Sequence, residues 1–531
     1  MNKLSQYLNQ HLLGEVVTDA TVRQRLSTDN SPLTIVPDIV AYPRATSDIR
    51  KLMRFSWQLA EKKHTLPITP RGSGTGTTGG ALGAGVVVSL TSHMNRIFEF
   101  DMRQQLVRLQ PGVNVRALKD ALWLQGSFAP ELEAANDEST VGGMIMGGAI
   151  DPALIHALEI VLADGEILQT GRISKRELAK RKAGKGLASE VYRALDALID
   201  ENVELIEKIP SSHGAGYPGI ADVKRRDGSF DLAPLFIGSQ GSLGVLSEAI
   251  LKASPAPATK SMVVAAFADA TDARDVLDAL KKVDATSVAY IDGALVQRAE
   301  AQGKKYEFIN EARKGGSIAA LLVVELHDSV RTQAKKLKRV VRMLEKHGAA
   351  VTSTADSAES DLRALGSIVS LALQPTNATA TAVPIVDGAY VPLERFEDFA
   401  NAVAALAAKH SFELPLSGHP YEGIWHVRPH LNLKSVTGKQ AVLKVIDEYA
   451  RVVADHGGTL VAENGEGRLQ AVSAYKYLDD DVKELYTKVK TIFDPHNILN
   501  TGVKQPAELV TVARMIRSSY NAENRDGLSR I

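Results

Sequence analysis

Residues 70 to 80 read PRGSGTGTTGG, and they limit what the chain can fold into. The stretch holds five glycines, three threonines and one serine, with no large apolar side chain. It follows the short apolar segment Leu66-Pro67-Ile68-Thr69 and precedes the strand-like Val86-Val87-Val88-Ser89-Leu90. Two readings compete. Glycine takes positive φ at no steric cost, so the run suits a plain flexible loop. Closely spaced backbone N–H groups with no side chains in the way also form a concave nest for phosphate oxygens. Small residues at every position after one arginine favour the nest. The run is not a P-loop, because no Gly-Lys-Ser/Thr follows. It is not the usual dinucleotide fingerprint either, because a strand follows where that motif needs a helix.

Bulk composition removes several function classes. The 531 residues suggest two to four domains with ample core. With 62 basic and 62 acidic side chains the formal charge is zero, which gives no electrostatic argument for nucleic acid. There is no cysteine, so disulfides, thiolate metal sites, cysteine catalysis and iron–sulfur clusters are excluded within these residues. The segment MNKLSQYLNQHLLGEVV lacks a sustained apolar run, which argues against a signal peptide. The longest apolar run, Ile318 to Val324, is too short to span a bilayer and reads as a buried strand. These features lead to the expectation of a soluble, cytoplasmic protein.

Along the chain, entry helices lead to a short strand near Ile35-Val36 and a helix from Ser47 to about Lys62. Strand signals recur at Leu106–Leu109 and Leu158–Leu162, the latter ending in the hairpin signal Ala163-Asp164-Gly165-Glu166. Two more glycine clusters follow, Gly142 to Gly148 and Gly238 to Gly244. Three such loops in the first half suggest one extended ligand approached by backbone from several sides. Near 253–260 the sequence ASPAPATK has linker composition. Beyond it, strands at 262–267, 287–291, 317–326 and 350–352 alternate with helices, which reads as α+β with helices on one face of an antiparallel sheet. A polar tail at 505–531 carries a candidate helix, Leu509 to Ser518, with Arg514 and Arg517 on a solvated face.

A second constellation lies further on. Residues 418–430 read GHPYEGIWHVRPH and residues 457–468 read GGTLVAENGEGR. They supply His419, His426, His430 and Glu463, residue types that suit zinc or another divalent ion. The seven-residue spacing of His419 and His426 fits neither one helical turn nor direct strand neighbours. Taken alone, the pattern is better explained by solvated or hydrogen-bonded histidines at strand ends.

Taken together, these segments resemble the FAD-binding oxidoreductases of the vanillyl-alcohol oxidase type, with their PCMH-type FAD domain. Within that family the chain is most similar to the D-lactate, D-2-hydroxyglutarate and glycolate dehydrogenase branch. The matching segments are PRGSGTGTTGG with GVVVSL, QPGV, STVGGM, LEIVLADGEIL, LFIGSQGSLGVLSEA, GHPYEGIWHVRP, AENGEGRL and FDPHNILNTG, in family order over about residues 30 to 504. The resemblance implies an α+β fold. A two-subdomain FAD-binding domain (1–255) is followed by an α+β, ferredoxin-like substrate cap (256–460), a C-terminal segment returning to the flavin (461–504) and the polar tail (505–531).

The resemblance also implies roles. Pro70, Arg71, Gly72, Ser73, Gly74, Thr75 and Gly76 would hold the FAD diphosphate, with Thr78 nearby and Thr140, Gly142 and Gly143 from the second loop. Gly238, Ser239, Gly241, Ser242 and Val245 would run along the flavin and ribityl chain, and Asn500 would return to the flavin. No histidine or cysteine stands at the usual attachment positions, which implies non-covalent FAD. His419, His426 and Glu463 match the family's metal ligands, zinc being the first choice, and Arg428 is a candidate substrate-carboxylate clamp. The implied reaction is metal-assisted oxidation of a small D-2-hydroxy acid to a 2-oxo acid. Electrons would pass to a separate acceptor: a quinone, an electron-transfer protein or oxygen. No nucleic acid is involved, and a homo-oligomer is compatible.

Two departures bear on activity. The family places a histidine base directly after the metal glutamate, and here Asn464 stands there; an amide accepts no proton at neutral pH. Glu466 is a candidate stand-in. The second loop is also shortened, since Gly147-Gly148-Ala149-Ile150-Asp151 leads almost at once into the LEIVLADGE strand. The alternatives are therefore a same-fold flavoprotein oxidising another alcohol or sugar, and a catalytically impaired FAD-binding partner subunit.

Overall fold

The computed structural model describes residues 3–520 except 133–134, 211–212, 258, 284, 314–315, 329, 356–358, 367, 373–380, 411–412 and 519. The chain divides into two compact units, one formed by Met1–Pro255 with Val461–Arg517, the other by Ala256–Leu460. Among the described residues no helix is long and apolar enough to cross a membrane.

The first unit contains two main sheets. In the smaller, the strands run in the order Glu15–Val17, Ile39–Tyr42, Val86–Ser89, Ile68–Arg71. The last three are mutually parallel. Their residues are almost all buried, as the apolar runs require. The glycine run forms the connection from Ile68–Arg71 to its parallel neighbour Val86–Ser89 and carries no helix. The expected strand at Ile35-Val36 lies four residues later. Pro37 directly after Val36 supplies no N–H to a ladder, Val36 is exposed, and pairing begins at Ile39. Helix Thr46–Glu61 buries Ile49, Leu52, Met53 and Ser56, one stripe at helical spacing.

The larger sheet is antiparallel throughout, in the order Ile97–Asp101, Leu106–Leu109, Val245–Lys252, Ile155–Val161, Ile167–Gln169. The Asp164-Gly165 turn joins the last two, with Gly165 at φ 86°. One apolar core underlies both sheets and takes in Val88, Leu109, Ile160, Phe236 and Phe493. The chain comes back to this unit after residue 461. Ile68 donates its N–H to the Ile498 carbonyl at 2.7 Å, and Asn500 donates to the Ile68 carbonyl at 2.8 Å. The C-terminal segment thus lies along the free edge of the strand that launches the glycine loop. Helix Leu509–Met515 follows, and the remaining tail from 521 lies outside the described residues. Arg517, expected on a solvated face, instead donates to the carbonyls of Asp29 and Ser31.

The second unit is built on a seven-stranded antiparallel sheet: Ala350–Ser353, Thr259–Phe267, Ala320–Asp328, Ser287–Asp292, Leu416–His419, Ile424–Val427, Val386–Tyr390. Helices cover both faces of it, which corrects the one-faced arrangement expected above. The reason is legible in Met262-Val263-Val264-Ala265-Ala266-Phe267, where every residue is buried without alternation. Met262, Val264 and Ala266 pack with Leu295, Ile309, Leu362 and Ile368 from one set of helices. Val263, Ala265 and Phe267 face the other side, where Ala270–Lys281 and Val330–Lys346 pack. Truncating Phe267, which is 1% exposed, to alanine is expected to cost about 3–5 kcal/mol of stability, measured by denaturant unfolding. A cost near zero would show that this face is not a packed core.

Candidate functional site

In the first unit the glycine loop lines an open cavity. Pro70, Arg71, Gly72, Ser73, Gly74, Thr75, Gly76 and Thr78 all contribute to its wall. Among the described residues, none of the amides of Gly72 to Gly76 donates to a protein acceptor. Five successive N–H groups without partners beside a cavity require solvent or a ligand. The glycines are fixed by close approach. A Cβ on Gly72 would lie 2.2 Å from the Thr140 hydroxyl, whereas at Gly76 it would meet nothing within 4 Å. The loop is packed from behind and open in front.

Arg71 sits behind that loop. Its guanidinium donates to the Leu26 carbonyl at 3.3 Å and the Thr28 carbonyl at 2.8 Å, and is fully buried. Burial pulls its pKa down while the neighbouring Asp29 raises it. Arg71 therefore supports the loop from beneath and leaves anion contact to the amides. Thr140 caps helix Val141–Gly147 by accepting from Gly143 N–H at 3.1 Å, and Gly142 N–H donates to the Pro111 carbonyl. These three residues line the cavity, but the two amides are already engaged. The shortened stretch after them is compact. Gly148 ends the helix at φ 78°, and Asp151 caps a 3₁₀ turn at Pro152–Leu154 that enters strand Ile155–Val161.

The third loop meets the second through backbone: Gly238 N–H donates to the Ile145 carbonyl and Gln240 N–H to the Met146 carbonyl. Of the residues expected here, Gly241 lines the cavity, while Gly238, Ser239, Ser242 and Val245 do not. The Ser239 hydroxyl is spent on the Phe236 carbonyl, and the Ser242 hydroxyl on the Ser239 carbonyl and the Tyr217 phenol. Val245 is buried in its strand opposite Val161. Gln240, which sequence reasoning passed over for its smaller neighbours, does the linking. Its carboxamide donates to the Asn464 carbonyl at 2.8 Å and accepts from Gly467 N–H at 3.0 Å.

Asn500 is fully buried behind the cavity wall at φ 38°. Its side chain donates to the carbonyls of Gly80 at 2.7 Å and Gln240 at 2.6 Å, and accepts from Arg468 at 3.2 Å and from the Thr69 hydroxyl at 3.3 Å. Arg468, also unforeseen, donates in addition to the carbonyls of Gly79 and Thr501. Burial pulls its pKa down to about 10, so it stays charged at neutral pH.

Asn464 lines the cavity at φ 63°, its carbonyl held by Thr78 and Gln240. Glu466 does not line it. Its carboxylate accepts from Gly216 N–H at 3.0 Å, the Tyr475 hydroxyl at 2.8 Å and the Lys504 ammonium at 2.7 Å, with no exposed surface. It is a structural buried ion pair, which corrects its candidacy as a proton acceptor.

The second unit holds its own polar cluster. His426 lies opposite both Ser417 and Asp387 in the sheet, and Arg428 lies two residues further along the same strand side. Trp425 points to the other face, stacked on Phe396 at 3.8 Å. Asp387 is 2% exposed. Its carboxylate contacts His426 Nδ1 at 2.7 Å and accepts from Arg428 Nε at 3.2 Å and Nη2 at 2.7 Å. Burial pushes the Asp387 carboxyl up, but Arg428 and His426 outweigh it and hold it well below the usual range. His419 sits close enough for His426 to lower its pKa, burial being the larger cause. Among the described residues no group of three or more His, Asp or Glu side chains is assembled to hold a metal ion. Glu463 belongs to the first unit. Two imidazoles are an incomplete donor set for zinc.

The family of FAD binding domains matches residues 37–171, and that of the C-terminal domains of FAD linked oxidases matches residues 256–503. The chain belongs to the FAD-linked oxidases. D-2-hydroxyglutarate dehydrogenase from Haemophilus influenzae is 28% identical over 93% of this FAD-linked oxidase and 50% of its own length. Glycolate oxidase subunit GlcD from Bacillus subtilis is 26% identical over 88% of each chain. The chain thus spans about half the length of the D-2-hydroxyglutarate dehydrogenases it matches. The structure of p-cresol methylhydroxylase superposes with a TM-score of 0.69 at 15% identity, over 95% of this chain and 96% of that one, which shows a shared fold.

Replacing Glu466 by glutamine leaves Lys504 buried without its counter-charge, with an expected loss of about 3–5 kcal/mol by denaturant unfolding. In the folded variant any rate of flavin reduction by substrate is expected to match the wild-type level. A stable variant with abolished reduction would restore Glu466 as a proton acceptor.

Proposed function

We propose that this FAD-linked oxidase binds FAD non-covalently in the first unit's cavity and oxidises a D-2-hydroxy acid to the 2-oxo acid. The observation that carries the reading is the row of acceptor-less amides from Gly72 to Gly76 in the cavity wall, within the matched FAD binding domain. When bound, FAD supplies the hydride acceptor. The five amides offer donors to a diphosphate, and the Arg71 charge behind them adds favourable field without competing for the same oxygens. Thr78, Gln240 and Asn500 fix the wall so that these donors do not have to reorganise on binding.

The substrate side is set by what the side chains can still do. Asn464 offers an amide donor to a substrate oxygen and accepts no proton at neutral pH. In the second unit, Arg428 has spent its Nε–Nη2 edge on Asp387, so what it can still offer a carboxylate is its Nη1 edge. The names of the hydroxyglutarate and glycolate relatives support a 2-hydroxy acid as substrate class. The electrons would pass to a quinone, an electron-transfer protein or oxygen. A second reading, a flavin-binding subunit without turnover, is favoured by one observation: Asn464 replaces the family's base while Glu466 is locked in its ion pair.

Anaerobic titration of the yellow protein with a panel of D-2-hydroxy acids separates the two. Bleaching of the flavin by at least one member is expected. If none bleaches it, the subunit reading replaces the enzyme. Asn464→His is expected to raise the reduction rate, by up to about 10²–10⁴-fold if a base is what the site lacks.

A further inference from the structure

The segment 515–517 carries an inference that rests on the cofactor reading proposed above. It belongs to the first unit and follows the matched C-terminal domain, which stops at residue 503. Residues 26–34 precede the matched FAD binding domain, which starts at residue 37. These two segments, both outside the matched stretches, meet each other. Thr34 donates its N–H to the Met515 carbonyl at 2.9 Å, and Arg517 donates its own to the Pro32 carbonyl at 3.0 Å. Between those bonds Leu33 and Ile516 form an antiparallel bridge, and both are buried. The Arg517 guanidinium then reaches the carbonyls of Asp29 and Ser31.

Residues 26–34 are also what the glycine run rests on. They fold back on themselves, with Thr28 bridging Thr34 and Ile35 N–H donating to the Ser27 carbonyl at 2.9 Å. Arg71 donates to their Leu26 and Thr28 carbonyls. Asn30 N–H donates to the Gly74 carbonyl at 3.0 Å. A Cβ on Gly79 would lie 2.8 Å from Leu33 Cδ1. The run is therefore held near its start, its middle and its end by one folded-back segment. Asp29, in that segment, is 9% exposed. Burial pushes its carboxyl up, while the charges of Arg71 and Arg517 pull it down. The guanidinium behind the loop and the one from the later segment thus act on the same buried carboxylate.

A glycine-rich loop loses much conformational freedom when it is confined to one shape. A support that confines it beforehand raises affinity without touching the ligand. We propose that Arg517 is a positioning residue for the flavin: it clamps residues 29–34 against the rear of the glycine run and so keeps the Gly72–Gly76 amides arranged for the diphosphate. Arg517 does not line the cavity and acts only through the backbone it holds.

Two measurements on the full chain test this. The first uses the wild type. Asn30, Thr34 and Arg517 donate their N–H groups to Gly74, Met515 and Pro32. Contacts that favour FAD must in turn be favoured by it. Hydrogen exchange at these three amides is expected to slow when FAD is added to the apoprotein, and more so than in strand Leu106–Leu109. No such difference under saturating FAD overturns the proposal. The second uses Arg517→Gln, expected to raise the FAD dissociation constant about 10- to 100-fold, the range for hydrogen bonds made by a charged group. Trypsin is expected to cut the variant apoprotein after the buried Arg71 faster than it cuts the wild type. Arg517→Lys, which keeps the charge, is expected to recover most of the affinity. A lower melting temperature with an unchanged dissociation constant assigns Arg517 to packing and overturns the proposal. Should Arg517→Gln not fold, the wild-type exchange decides alone. If the wild type takes up no FAD, the cofactor reading fails, while cleavage after Arg71 still decides whether Arg517 braces the loop.

Discussion

The buried Asn500 carboxamide is the interaction on which the first unit's site depends. It joins segments that are remote in sequence, binding the Gly80 carbonyl of the first loop and the Gln240 carbonyl of the third, while Arg468 and Thr69 donate to its oxygen. Each such bond contributes only about 0.5–1.5 kcal/mol net, but an unmade one at a buried carbonyl costs about 1–3 kcal/mol. The arrangement is therefore close to all-or-none. Asn500 braces these loops from behind, beside the strand edge at Ile68. Loops rich in glycine have little of their own to hold them. Here their rigidity comes from Asn500, Arg468 and Gln240, which leave the amides of Gly72 to Gly76 uncommitted.

Much of this was legible in the sequence, and the parts that were not have physical reasons. The glycine run announced a backbone-lined cradle because bare amides have few other uses between buried strands. The Asp164-Gly165 hairpin and the 318–324 strand followed from turn chemistry and apolar length. The strand after Pro37 was displaced because a missing N–H cannot be seen by apolar pattern alone. Helices on both faces of the second sheet were signalled by six successive buried apolar residues at 262–267, a run without alternation. Arg71 was read as an anion contact because arginine beside glycine usually is. Its actual partners are the Leu26 and Thr28 carbonyls, fixed by a tertiary contact that a local pattern does not encode. Gln240 and Asp387 were missed for opposite reasons. Gln240 stood among smaller residues already assigned, whereas Asp387 was a lone carboxylate in an apolar strand with nothing in sequence to name its partners.

The departures from the family concern protons more than the cofactor. The first unit keeps a row of amides without protein acceptors from Gly72 to Gly76, while Glu466 is locked in its ion pair with Lys504. Glu466 is committed to Lys504, Tyr475 and Gly216, and Asn464 lines the cavity with its backbone carbonyl held by Thr78 and Gln240. In the second unit, Asp387 is held by His426 and by two nitrogens of Arg428.

The claim beneath all of this is that backbone amides and a buried asparagine form a flavin site. Flavin content of the purified protein, with identification of the compound released by heat, tests it most directly. The account predicts FAD in equimolar amount, released intact. A colourless protein that takes up no FAD when it is added would contradict it.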